Sequence, residues 1–136
     1  MNVIICIDDN GGMMFNNRRQ SRDKILINDL IEQIGSQLIR IDPYSQELFN
    51  SYMDKVHISD SFLDEAGEND YCFVENKHLM PYLDKINSII VYKWNRTYPH
   101  DFDLDINLEK ENFILSFTSN FVGNSHDEIT KLIYTR

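Results

Sequence analysis

Apolar and polar residues alternate along this chain in short blocks. Val3-Ile4-Ile5-Cys6-Ile7 is apolar without alternation, the pattern of a central strand buried on both faces. Asp8-Asp9-Asn10-Gly11-Gly12 breaks the run as a turn. A polar, basic loop follows over Asn16–Arg22. Ile27, Leu30, Ile31 and Ile34 then recur at helical spacing, and Gly35 marks the stop. Ser21 fits as the helix N-cap, with Asp23 in the first turn where an acid suits the dipole. Leu38-Ile39-Arg40-Ile41 is a second short strand, ended by Asp42-Pro43. Tyr44–Tyr52 reads as a short helix with Leu48, Phe49 and Tyr52 inward. Val56-His57-Ile58 is a third strand, and 60–70 a polar helix or turn with few anchors. Tyr71–Val74 is a fourth strand. Asn76 is placed to cap a helix over Lys77–Lys85, with Leu79, Met80, Leu83 and Ile86 inward and Pro81 in its first turn. Ile89–Tyr92 is a fifth strand, Phe113–Phe117 opens a sixth, and Ile129–Tyr134 reads as a seventh strand, with a helix as the alternative. Strand–helix–strand runs of this kind require parallel pairing. The expectation is one α/β domain over 1–136, a mixed, mostly parallel sheet flanked by helices.

Composition changes this picture little: 136 residues, 42% hydrophobic and 26% charged, suit one globular core. No apolar run approaches the roughly 20 residues of a membrane span. Without a signal-like start, the expectation is a cytoplasmic chain that does not contact membranes. Cys6 and Cys72 sit inside apolar strands and read as buried free thiols.

The formal charge of −9 argues against general nucleic-acid binding. Positive charge is instead concentrated locally: Arg18, Arg19, Arg22 and Lys24 lie within seven residues. The cluster follows the end of the first strand, and ligands of open α/β sheets sit beyond strand carboxyl ends. Asp8–Asp23 is therefore the expected site. Arg18, Arg19 and Arg22 would hold an anion, and the amides of Gly11 and Gly12 would approach it. Asp8 and Asp23 flank it. Asp23 has two readings, a helix-stabilising acid or a site residue. Tyr92, Trp94, Arg96 and Tyr98 share one face by alternation. Tyr92 and Trp94 can stack a planar ligand, or the stripe can pack on a neighbour or a second copy. His57, His78, His100 and His126 are scattered, with neither zinc spacing nor the HxHxDH array of metallo-β-lactamase-type nucleases. No metal site is expected. The phosphate-loop, GxSxG and dinucleotide glycine motifs are absent as well.

The order of pieces resembles the dihydrofolate reductase family over most of the chain, at weak identity. The matching parts are the strand Val3–Ile7, the loop Asp8–Met13 and an acid on the next helix, Asp23. Ile39–Phe49 is like the second strand and its helix. YCFVENKHLMPYLDKINSIIVYKW is like the cofactor-binding strand, turn, helix and strand. The tail from DFDLDINLEKENFILSFTSNF to ITKLIYTR is like the closing strand pair. Similar short chains carry the label ribonuclease Z. The resemblance implies that fold, and, with full motifs, NADPH-dependent reduction of a pterin. Three motifs differ. Glu75-Asn76 replaces a Gly-Gly pair at the cofactor pyrophosphate, Asp42-Pro43 replaces Gly-Arg, and Arg19-Gln20-Ser21 replaces Leu-Pro-Trp. Two like charges about 4 Å apart cost on the order of 4 kcal/mol at an effective dielectric near 20. That is about a thousandfold in affinity. The reading is therefore a non-redox domain for a small anionic, nucleotide-like ligand, with no cofactor. The alternatives are a divergent NADPH-dependent pterin or nucleotide reductase, a protein-interaction module and a hydrolase.

Overall fold

The structure, a computed structural model, describes residues 1–136. Its main sheet has seven strands in the order β5-β4-β6-β1-β7-β10-β9. These are β1 (Asn2–Ile7), β4 (Ile39–Ile41), β5 (Val56–Ile58), β6 (Tyr71–Phe73), β7 (Ser88–Lys93), β9 (Ile114–Phe121) and β10 (Ile129–Thr135). The seven expected strands are these seven. β1 lies between β6 and β7, parallel to both, and β10 runs antiparallel to β7 and β9.

The uninterrupted apolar character of β1 follows from this central place. Ile4 faces one core with Leu26, Leu30 and Ile34 of α1 (Lys24–Ile34), together with Phe73, Tyr92 and Ile129. Val3 and Ile5 face the other, with Phe62, Leu79, Ile86, Ile89 and Val91. Residues 60–70, expected to have few anchors, bury Phe62, Leu63 and Ala66 through the one-turn helix α2 (Phe62–Glu65).

A second sheet replaces the expected loop. β2 (Gly12–Phe15), β3 (Arg18–Arg19) and β8 (Phe102–Asp103) pair in the order β3-β2-β8. Asn16 and Asn17 turn the β2–β3 hairpin at φ 52° and 60°. Two consecutive left-handed residues match the right-handed twist of a two-residue hairpin, and asparagine tolerates them.

Two helix starts differ from expectation. Asp23, not Ser21, caps α1: its Oδ1 accepts from the amides of Ile25 (2.9 Å) and Leu26 (3.1 Å). The 77–85 segment is helical only from Met80 to Lys85, as a 3₁₀ turn, and Met80 is exposed. Asn76 caps nothing. The first amides there, Leu79 and Met80, are held by the Asp105 carboxylate from across the chain, at 2.8 and 3.0 Å. The 43–55 segment is likewise 3₁₀, bent at Phe49 and Tyr52 and capped by Asp42.

Candidate functional site

The carboxyl ends of β1 and β6, the start of α1 and the 43–55 segment converge on one place. Asp8 ends β1 and is fully buried. Its Oδ1 accepts from the amides of Asn10 and Gly12, both at 2.8 Å. Its Oδ2 accepts from Gln20 Nε2 and the Tyr98 amide, both at 3.1 Å. Burial pushes the Asp8 carboxyl up, but these donors together hold it below the usual range. Asp8 is therefore a tie between the hairpin and the 98 loop. The Gly11 amide is also used internally, donating to Asp8 O. Neither glycine amide is directed at a ligand. Gly12 matters sterically: a Cβ there would lie 2.6 Å from His100 Cβ.

The fold divides the basic cluster. Arg18 is exposed on the hairpin and makes no ion pair. Arg19 turns inward, its side chain 12% exposed. Its Nε donates to Glu75 Oε2 (2.8 Å) and its Nη2 to Glu75 Oε1 (3.0 Å), a bidentate pair. Glu47 pairs with the same guanidinium, which also lies over the Tyr44 ring at 4.6 Å. Ser45 Oγ donates to Glu75 at 2.7 Å. The carboxylate expected to repel an anion is thus neutralised by a cation of the expected anion site. Asp42 is similarly engaged: it accepts the Tyr44 amide at 2.9 Å, with Lys77 Nζ at 3.8 Å. Arg22 stays exposed, with only Glu47 nearby at 4.0 Å.

Asp23 is saturated. Besides capping α1, it accepts from the Ser125 amide and Oγ, both at 2.8 Å. Burial pushes its carboxyl up, and the donors from Ser125, Leu26 and Asn124 outweigh that and hold it low. Ser125 Oγ is also 2.7 Å from His126 Nδ1, and Tyr98 Oη is 2.7 Å from His126 Nε2. Ser125 Oγ also faces the Arg22 carbonyl at 2.8 Å. With two neighbours that can only accept, the Ser125 hydrogen goes to one of them. The ring then donates from Nδ1 and accepts the Tyr98 hydrogen at Nε2. Burial lowers the affinity of His126 for a proton, more than Asp23 restores it. The fold gives His126 Asp23 and Ser125 as neighbours.

The aromatic stripe is not a surface. β7 ends at Lys93. Tyr92 is fully buried, donating to Asp29 at 2.6 Å. Trp94 is buried and stacks on His126 at 4.7 Å. Tyr92 is thus unavailable to a ligand, and neither aromatic offers a face to a second copy.

Two spaces result. The inner one, among Cys6, Arg19, Asp23, Leu26, Glu75 and Trp94, has a cavity volume of about 20 Å³. That is room for a single water. The outer one is an open groove of about 600 Å³ between α1 and the 43–55 segment. Arg22, Lys24, Asp23 and Glu47 line it together with Asn28 and Asn124. Its amide and hydroxyl residues, scattered from 28 to 124, carry no local signature. Of the expected site residues, the inner space collects Arg19, Arg22, Asp23 and Trp94; Arg18 borders, with Arg19, Gln20 and Tyr98, a separate open groove of about 500 Å³, and Asp8, Gly11, Gly12 and Tyr92 line neither. No three His, Cys, Asp or Glu side chains converge as a metal site. No helix is long and apolar enough to cross a membrane.

A dihydrofolate reductase from Enterococcus faecalis, solved with NADP(H) and RAB-propyl, superimposes on this structure at a TM-score of 0.69. The match covers 99% of this chain and 95% of that one, at 10% identity. The chain has the dihydrofolate reductase fold. No protein-family model matches the sequence, and no curated protein matches it at a significant level. The dihydrofolate reductase scaffold thus stands with its inner space closed by a buried ion pair.

Proposed function

We propose that this chain is a small-ligand-binding domain without redox chemistry, taking an anion of nucleotide-like size in the outer groove. The observation that carries the reading is the contrast between the two spaces. The groove is within the ~300–1,000 Å³ usual for small-molecule sites. Arg22 and Lys24 border it, Arg22 loosely opposed by exposed Glu47 at 4.0 Å.

The residues present do not fit the dinucleotide bound by the Enterococcus faecalis reductase. Glu75 and Asp42, 9% and 8% exposed, stand where the family resemblance places the phosphates. A phosphate there would have to displace Arg19 from Glu75, leaving a buried carboxylate without its cation. Hydrolysis has no better support, because the Ser125 hydrogen is committed to groups that cannot relay it to His126.

Thermal unfolding with added AMP or pyrophosphate tests the reading. A stabilisation of about 2.7 kcal/mol is expected at a hundredfold excess over the dissociation constant. It should be lost in Arg22→Ala/Lys24→Ala and kept in Arg18→Ala. No shift, or an equal shift in the double variant, overturns the anion site. Tight NADPH binding in a fluorescence titration restores the reductase alternative.

A further inference from the structure

The polar groups that line the outer groove are unequally engaged. Asn124 Oδ1 accepts the Lys24 amide at 2.5 Å, and Asn28 Oδ1 accepts the Tyr52 hydroxyl from the opposite wall. Each carboxamide is thereby fixed with its oxygen spent, and neither nitrogen has a protein partner. A carboxamide nitrogen can only donate. Lys24 is exposed beside them and makes no ion pair. Lys24 and Asn28 lie one turn apart on one face of α1, and Asn124 is fastened to the start of that turn. Three donors with one formal charge therefore border the groove from a single patch.

The acceptors nearby are used up. Asp23 takes the amides of Ile25, Leu26 and Ser125, and its side chain is fully buried. The first amides of α1 are spent on Asp23 and Asn124, so the patch is made of side chains and not of a helix end. The Arg22 end differs: exposed Glu47 faces Arg22 at 4.0 Å and also pairs with Arg19. An anion entering the groove meets a like charge at the Arg22 end and donors alone at the Lys24 end.

We propose that Lys24, Asn28 and Asn124 form a phosphoryl subsite, so that the ligand of the groove is a phosphomonoester. The proposal rests on the anion reading of the groove and assigns where the anion lies. A phosphomonoester ends in three oxygens that accept strongly, one for each donor. A carboxylate ends in two and leaves one donor unanswered. A ligand that presents N–H or ammonium groups meets donors only. Ile27 and Leu48 also line the groove and can pack against the rest of the ester.

Calorimetric titration of the full chain with AMP, adenosine and succinate tests the proposal. AMP should bind, and adenosine and succinate should bind at least about tenfold more weakly. Asn28→Asp and Asn124→Asp keep the engaged oxygen but turn the free donor into an acceptor. Each should weaken AMP binding by about tenfold or more, with the unfolding temperature of the free chain unchanged. If one of the two fails to fold, the other makes the same test. Asn50→Asp adds the same charge to the facing wall, where no amide oxygen is engaged, and should change AMP affinity by less than about threefold. A wild-type chain that does not bind AMP overturns the anion reading and this proposal together. Binding that is lost in Arg22→Ala/Lys24→Ala yet kept in both Asn28→Asp and Asn124→Asp leaves that reading standing and overturns the phosphoryl subsite alone. So does an equal loss in Asn50→Asp, or succinate binding as tight as that of AMP.

Discussion

Asp23 serves as helix cap and loop clamp at once, so its removal costs more than a cap alone. Asp23→Ala should destabilise by about 2–3 kcal/mol in urea unfolding, against about 1 kcal/mol for an ordinary cap. Asp23→Asn retains part of that through its remaining oxygen. Arg19→Ala leaves Glu75 buried without its cation and should cost about 3–5 kcal/mol. Arg19→Met with Glu75→Leu should recover most of it, because the apolar pair needs no mutual charge. The pH dependence has a definite sign. Asp8 and Asp23 are held low in the fold, so their contribution is present above the unfolded value near ~3.9 and is lost as pH falls through the lower folded values. His126 is lowered as well, so below about 6.5 the unfolded chain takes up a proton that the folded chain resists. Both effects weaken the fold on the acid side. Titrated unfolding should show the wild type losing stability relative to His126→Gln as pH falls below about 6.5.

At the scale of elements, Gly123 is the tightest join. A Cβ there would lie 2.2 Å from Asp23 Oδ2 and 2.8 Å from Ile129 Cδ1. Gly123→Ala should therefore push the 122–125 turn off the start of α1. Calorimetry should show a loss of about 1–3 kcal/mol or more. In contrast, Asn17→Gly suits its left-handed backbone and should be neutral or slightly stabilising. The seven main strands were legible because each is a run of apolar or β-branched residues bounded by turn formers. The small sheet was not: β3 is two arginines, and β8 is Phe102-Asp103, too short and too polar for any period. The start of α1 was misread because Ser21 and Asp23 are both good caps. Only the position of the Ile25 and Leu26 amides chooses between them. The 77–85 helix was misread because its first amides are satisfied by Asp105, more than twenty residues away in sequence.

At the scale of the molecule, the arginine cluster was legible but its disposition was not. Nothing between Arg18 and Lys24 says that Arg19 turns towards a glutamate 56 residues on while Arg22 stays in water. Salt tests the proposed groove. Anion binding at Arg22 and Lys24 should weaken as salt shortens the screening length from about 30 Å to about 8 Å. A thermal-shift series in salt will show it. The Arg19–Glu75 bond also fixes an order of events. It joins the hairpin to the end of β6, and Ser45 and Glu47 reach it from a third segment. The complete network needs all three in place, so it is expected to close after the strands have paired. Until then Cys6, Leu26, Phe73 and Val74 line an uncovered hollow. During refolding, a dye that glows in oily surroundings should brighten and then dim as the arginine arrives. In Arg19→Ala the dimming should be incomplete.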